Sequence, residues 1–237
     1  MGFTNRGLDT TVEEEVVEEK RFIIIACEGA STELQYFNKI KEKLNLKNQI
    51  KMEVLEREKS EENSSAPTKV VETLANLSSE KLQKIKERNL SEDSFDIYWA
   101  VIDREKQESK KVNLSKALII CKEKDYKVAL TNPSFEFWLL LHLENIEQYK
   151  VIDLYKNKKI SNNKDFMDKE LSDRLENGYN KKKATFDESL ILIDNILRAL
   201  KQEKLFENEL EQIIDNLGSN VGDLIREILN FEESVIS

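Results

Sequence analysis

Three apolar runs in this sequence end abruptly in polar residues suited to chemistry. Phe22-Ile23-Ile24-Ile25-Ala26-Cys27 stops at Glu28-Gly29, and Phe95 to Ile102 runs into Asp103-Arg104-Glu105. Tyr126 to Thr131 is stopped by Asn132-Pro133. If the first two of these runs form neighbouring strands, Glu28, Asp103 and Glu105 bring three carboxylates to one sheet edge. Such a cluster repels itself, raising its pKa values, unless a cation is present. Oxygen-only ligands from strand ends suit Mg²⁺ (or Mn²⁺), which keeps several waters and also binds substrate phosphates. Metals so held polarise a phosphate and stabilise attacking and leaving oxygens. Gly29 lets backbone or phosphate approach closely. The plainer reading stays open, since Asp103 could cap the next turn and Glu105 could face water.

Neighbouring residues carry the same double reading. Thr32-Glu33-Leu34-Gln35 fits a capping box, with a second metal position at Thr32 and Glu33 as the sharper option. Glu136 falls in the first turn of a helix. There a carboxylate gains about 0.3–1 kcal/mol from the helix dipole, and a place behind the metal ligands or on a second metal is the alternative. Asn132 is expected to shape its turn and cap that helix. Trp138, Leu140 and Leu141 read as core. His142, the one histidine, reads as a packed residue before it reads as a general base. Lys181-Lys182-Lys183 is the best local basic patch and Lys156, Lys158 and Lys159 form another. Phosphate contacts from such lysines give salt-dependent, sequence-independent binding.

The elements that position these residues alternate. The run at Phe22–Cys27 has the continuous apolar character of a strand buried on both faces. A helix carrying Leu34, Phe37, Ile40 and Leu44 follows, then a strand over Ile50–Leu55. Pro67 opens a helix expected to run through Val70, Val71, Leu74 and Leu77 to Leu82 and Ile85. The strand at Phe95–Ile102, a helix over Leu114–Asp125, a strand over Tyr126–Thr131 and an apolar helix from Ser134 complete the alternation. The economical solution is an α/β fold, a parallel sheet of about four strands covered by helices. Beyond Ile146 the strand signals vanish. Stripes at Phe186-Leu190-Ile193-Leu197-Leu200, at Leu210-Ile213-Ile214-Leu217 and at Val221-Leu224-Ile225-Ile228 predict a helical C-terminal region. The expected organisation is an acidic leader over 1–20, an α/β domain over 21–145 and a helical region over 146–237.

Composition narrows the classes. The 237 residues include 46 acids against 37 bases, a formal charge of −9. A bulk basic surface is excluded, so a bound polyanion must meet local lysine patches or metal ions. Two cysteines, Cys27 and Cys121, build neither a disulfide framework nor a four-thiolate zinc site. Cys27 itself reads as a small apolar strand residue. The longest apolar stretch, Phe137–Leu141, is too short to span a bilayer, and no signal-peptide pattern opens the sequence. A cytoplasmic protein without membrane contact is expected.

Three ordered motifs resemble the RloB-like family. Ile25-Ala26-Cys27-Glu28-Gly29-Ala30-Ser31-Thr32-Glu33 with Tyr36-Phe37 is similar to its opening motif, and Phe95 to Glu105 to its second. Thr131-Asn132-Pro133-Ser134-Phe135-Glu136-Phe137-Trp138-Leu139-Leu140-Leu141-His142 is similar to its third, and Asn220-Val221 fits its ending. RloB-like proteins are similar to Toprim domains, which implies a Toprim-like fold and a metal-dependent nuclease acting on DNA or RNA. By that resemblance Glu28 would be the general acid/base, and Asp103 and Glu105 would hold Mg²⁺ (or Mn²⁺). By position alone, Gly29, Thr32, Glu33, Asn132 and Glu136 are the candidates to surround them, and Lys181, Lys182 and Lys183 the candidates to meet nucleic acid. Glu105 departs from the Toprim pattern, where Asp is usual, so the carboxylate sits on a longer arm. The family is associated with bacterial anti-phage loci, often beside an ATPase gene, which implies a partner ATPase. A non-catalytic regulatory subunit of such an ATPase is the rival from another class, and an enzyme of free nucleotides is a third reading. A topoisomerase or a zinc-bearing primase is disfavoured.

Overall fold

Parallel pairing brings together strands that are far apart in sequence. The structure, a computed structural model, describes residues 20–29, 31–44, 46, 50–55, 66–89, 94–105, 108–143, 145–162, 164–181 and 187–230. The expected acidic leader up to residue 19, together with Lys182, Lys183 and Phe186, lies outside the described residues. In chain order the first half runs β1 (Arg21–Cys27), α1 (Thr32–Lys43), β2 (Ile50–Leu55), α2 (Pro67–Ala75), α3 (Ser79–Arg88), β3 (Phe95–Asp103), α4 (Glu108–Glu123), β4 (Lys127–Asn132) and α5 (Phe135–Leu140). The second half holds α6 (Val151–Lys156), β5 (Lys159–Ser161), β6 (Lys164–Asp165), α7 (Phe166–Arg174), α8 (Ile193–Glu203), α9 (Leu210–Ile213), β7 (Gly218–Ser219) and α10 (Val221–Leu229). The main sheet has the order β2-β1-β3-β4-β7, with β7 antiparallel to β4 and the other neighbours parallel. This is the mixed α/β architecture expected, with one short antiparallel strand added.

The continuous apolar run of β1 is explained by two cores. Ile23, Ile25 and Cys27 face one that includes Phe37, Phe135, Trp138, Leu200 and Ile225. Phe22, Ile24 and Ala26 face another built with Val70, Leu74, Leu114 and Ala117. Phe22 through Ile25 are wholly buried, and each such side chain contributes about 1.5–3 kcal/mol by leaving water. The first core contains sheet residues and residues of α7, α8 and α10 alike, so the C-terminal region packs on the sheet directly. Asn220 fastens it further. Its Oδ1 accepts from Leu130 N (2.7 Å) and its Nδ2 donates to Val128 O (3.0 Å), imitating a strand beside β4.

Several sequence expectations are corrected. The helix from Pro67 breaks at Asn76–Ser78, because Ser78 Oγ accepts from Lys81 N (3.2 Å) and starts α3 as its N-cap. The stripe at 190–200 is a 3₁₀ turn (Glu188–Ile191) followed by α8, with Leu192 extended between them. Asp187 caps the turn through Ser189 N (3.0 Å). The stripe at 210–217 yields only the four-residue α9. Three short strands, β5, β6 and β7, appear where none was expected. Among the described residues no helix is long and apolar enough to cross a membrane.

His142 belongs to the core. It is fully buried, with Nδ1 2.9 Å from Trp138 O and Nε2 3.0 Å from Tyr36 Oη. A carbonyl only accepts, so Nδ1 carries the proton and Nε2 accepts from the phenol. Burial pushes its pKa down to about 4, so the ring stays neutral in the folded protein while the unfolded chain takes up a proton near pH 6.5. Stability is therefore expected to fall as pH drops from 6.5 towards 4, by up to about 3 kcal/mol from this group. Urea denaturation across that range checks it: His142→Gln should lose this part of the slope, and an unchanged slope refutes the assignment.

Candidate active site

The parallel register sets the site. Cys27 pairs with Val101 and Asp103 with Thr131, so β1, β3 and β4 end on the same rim. Glu28 N donates to Val101 O (2.9 Å), carrying the strand pairing one residue past β1. Glu28 Oε2 in turn accepts Asp103 N–H at 3.2 Å. Asp103 Oδ1 accepts from Thr131 Oγ1 at 2.5 Å. The first and third sequence motifs thus clasp the second from both sides.

Glu33 and Glu136 close the cluster. α1 begins at Thr32 and forms no capping box: Ser31 precedes it without a side-chain cap. Glu33 Oε1 instead reaches back to accept Gly29 N–H (3.1 Å). A Cβ on Gly29 would lie 1.9 Å from Glu33 Oε2, so the missing side chain makes room for this carboxylate. Thr32 Oγ1 is 3.0 Å from Tyr179 Oη, and Tyr179 donates to Glu136 Oε1 at 2.6 Å. Ser134 Oγ donates to Glu136 Oε2 (2.7 Å). Lys181 Nζ lies 3.1 Å from Glu136 Oε2 and 3.2 Å from Asp168 Oδ1. Glu28, Glu33 and Glu136 are each 5% exposed or less.

The charges divide unevenly. Burial pushes the Glu33 carboxyl up to about 7, with the negative Glu136 and Glu28 reinforcing it against backbone hydrogen bonds. Asp103 is raised well above the usual carboxylate range, by desolvation first and then by the charges of Glu33, Glu136 and Glu28. Glu136 goes the other way. Burial opposes ionisation, but Lys181, Tyr179 and Ser134 together hold its pKa below the ordinary value. Asp168 shares the same ammonium yet is raised, burial outweighing Lys181; it lacks the two hydroxyl donors that Glu136 has. Positive charge is thus supplied at Glu136 and is short at Glu33 and Asp103.

That deficit is what a divalent cation would fill. Among the described residues, no three His, Cys, Asp or Glu side chains already stand as a metal cage. The donor chemistry nonetheless fits Mg²⁺ or Mn²⁺: carboxylates only, with room in the coordination sphere for water.

The expected residues find unequal places. Glu28 and Asp103 meet, and Glu33 and Glu136 join them. Glu105 is half-buried one turn beyond β3, at φ 39°, its N–H on Pro133 O (3.1 Å) and its carbonyl accepting from Arg104 Nη1 (2.5 Å). Asn132 does not cap α5, which starts behind Ser134. Its Nδ2 donates to Ile213 O (2.7 Å), and Arg104 Nε donates to Ile214 O (2.8 Å). Both satisfy carbonyls at the end of α9, which would otherwise lack partners. Lys181 is bound to two carboxylates in the cluster. Asp168 escaped the sequence reading; its only sequence signal is the Asp165-x-x-Asp168 spacing of a helix start, and α7 does carry that capping box.

In open α/β sheets ligands bind outside the carboxyl ends of the parallel strands, and it is there that the carboxylate cluster lies. The family model described as RloB-like protein matches residues 23–228, and the chain belongs to the RloB-like family. No curated protein and no solved structure matches it.

The contact at Gly29 makes a sharp prediction. Gly29→Ala is expected to lower the thermal midpoint by displacing Glu33, and Glu33→Ala in the same chain to recover part of that loss. Strictly additive effects in this double-mutant cycle contradict the contact.

Proposed function

We propose that this RloB-like protein is a Mg²⁺- or Mn²⁺-dependent nuclease of Toprim type that hydrolyses phosphodiester bonds in DNA or RNA. One observation carries the reading: the Glu28 carboxylate accepts the N–H of Asp103 at the shared rim of β1 and β3, inside a group of carboxylates short of positive charge. Asp103 and Glu105 would hold the ion. When bound, it would polarise a phosphoryl oxygen and neutralise charge on the attacking and leaving oxygens.

The chain's own groups do the rest. Glu28, set behind Asp103 on a rigid strand end, takes the proton of the attacking water. Thr131 fixes one Asp103 oxygen through its hydroxyl, which aims the other carboxylate oxygen. Tyr179, Ser134 and Lys181 keep Glu136 ionised, so the rim stays anionic where the ion must be held. Gly29, with no Cβ, leaves space beside Glu33. Family resemblance supports a role in anti-phage defence alongside a partner ATPase.

Purified protein is to be incubated with plasmid, single-stranded DNA and total RNA, with Mn²⁺ or Mg²⁺ and with chelator. Metal-dependent cleavage is expected. Glu28→Gln and Asp103→Asn should each abolish it while the circular-dichroism spectrum and melting remain those of a folded protein. Wild-type cutting by both variants removes the proposed site. Failure of Mn²⁺ to bind in an Asp103-dependent way favours the non-catalytic regulatory subunit instead.

A further inference from the structure

From Lys156 to Lys164 the sequence holds four lysines and no acid, in a chain of net charge −9. The structure places Lys156 at the end of α6 and pairs β5 (Lys159–Ser161) with β6 (Lys164–Asp165) as a two-stranded hairpin. Every residue of β5 is exposed, as are Lys156, Lys158 and Lys164. Elsewhere some lysines are matched, Lys111 with Asp215, Lys127 with Glu227 and Lys169 with Asp173; what sets this stretch apart is that its lysines cluster with no acid between them. Among the described residues Lys156, Lys158 and Lys159 are matched with no carboxylate. The acids on the adjoining elements are Asp153 on α6, Asp165, whose carboxylate is engaged by the α7 capping box, and Asp168, Glu170 and Asp173 on α7; Asp173 is paired with Lys169 and also feels the charge of Lys164.

The hairpin is anchored and lies beside the acidic cluster. Asn157 Oδ1 accepts Met167 N–H (2.9 Å) and Lys158 O accepts Phe166 N–H (2.9 Å), pinning its base to α7. Lys164 Nζ donates to Ser172 Oγ (2.8 Å), and Ser172 Oγ donates to Tyr179 O (2.8 Å). A single hydroxyl thus separates Lys164 from the residue whose phenol holds Glu136. On the other side, α7 follows β6 at once and its first turn carries Asp168, the partner of Lys181. Ile160, 51% exposed between the lysines, offers apolar contact to a sugar or base.

We propose that the β5–β6 hairpin, with Lys158, Lys159 and Lys164 set next to the carboxylate rim, is the surface that grips the sugar–phosphate backbone of a polynucleotide. Fixed lysines in a row neutralise successive phosphates and release counterions, giving affinity without sequence readout. A two-stranded ribbon is also of a size to lie along a nucleic-acid groove. The assignment rests on the nuclease reading of the rim, and it supplies what an acidic protein needs, a local cationic seat for its polyanion.

The test measures binding and cleavage separately. Fluorescein-labelled oligonucleotides (single-stranded DNA, single-stranded RNA and duplex) are titrated with full-length protein in chelator over a salt series, and cleavage is assayed in Mn²⁺. Lys158→Glu/Lys159→Glu is expected to weaken binding by about tenfold or more at low salt, and to lower the slope of log affinity against log salt by about 2. Lys81→Glu/Lys84→Glu, the same charge change on the exposed face of α3, should weaken it far less. Wild-type affinity and slope in the hairpin variant overturn the proposal, as does an equal loss in the α3 variant. Binding of the wild type to phosphatidylserine vesicles through these lysines, with no oligonucleotide bound, also overturns it. Hairpin-dependent binding without any cleavage keeps this inference and sinks the nuclease reading; cleavage with hairpin-independent binding does the reverse.

Discussion

The meeting of Glu28 with Asp103 across two parallel strands is the constraint around which the rest of the rim is arranged. The contact itself is favourable, a backbone N–H given to a carboxylate, but it sets Asp103 within reach of the charges of Glu33, Glu136 and Glu28, which with burial raise its pKa. Glu33 and Glu136 add to that charge in a setting with little water. Such a group persists only if something answers it. Lys181, Tyr179 and Ser134 answer it at Glu136, and Thr131 offers Asp103 a hydroxyl. What remains unanswered is the pair of raised carboxyls, Glu33 and Asp103. A rim that neutralises one acid so completely and leaves two short is costly for stability, since plain stability favours apolar packing there, and it is this cost that supports the proposed cation site.

The same rim explains why the C-terminal half lies where it does. Its contributions are polar and local. Tyr179 and Lys181 arrive on the segment after α7, while Ile213 and Ile214 present their carbonyls to Asn132 and Arg104. Arg104 sits between Asp103 and Glu105, so the turn that carries both acids is tied through its backbone to Thr131 of β4 and to Pro133, and through the Arg104 side chain to the end of α9. Glu105 holds a left-handed conformation there, uncommon for a side chain of this size. The hydrogen bonds on both sides of it fix that geometry. The site is therefore composite, with strand ends and the first turns of α1 and α5 supplying most of the acids and the C-terminal region supplying Lys181 and Tyr179.

What could be read from the sequence follows from how each signal is encoded. β1, β3 and β4 are legible because burial on both faces writes an unbroken apolar run, and the polar residue that ends each run marks the rim. Adjacency of β1 and β3 was the one assumption needed, and the register supplies it. β5, β6 and β7 were invisible, since two or three residues carry no alternation and β5 buries none of its side chains. The break between α2 and α3 hid because Leu77 continued the apolar spacing while Ser78 capped a new helix. Thr32 and Asn132 carry the right residue types for caps, yet each found a stronger long-range partner, Tyr179 and the end of α9. Lys181 reads as a solvent-facing patch in sequence; only the fold shows two carboxylates waiting for it. Tertiary partners overrode local rules at polar positions, and hardly at all at apolar ones.

Net charge and local charge act on different lengths. At physiological salt the screening length is about 8 Å, so most of the −9 is invisible to a phosphate resting on the β5–β6 hairpin, while Lys158, Lys159 and Lys164 are not. The acidic bulk still matters during approach: it disfavours a polyanion at acidic faces and so favours encounter at a basic one. On the proposed reading a seated strand would run from lysines that draw it in to carboxylates that repel its phosphates. A divalent cation held at the rim would relieve that repulsion and so couple metal occupancy to productive placement of the scissile bond. If the hairpin seats a polynucleotide as proposed, a small basic hairpin at the edge of an anionic rim would discriminate, by electrostatics alone, between holding a polynucleotide and acting on it.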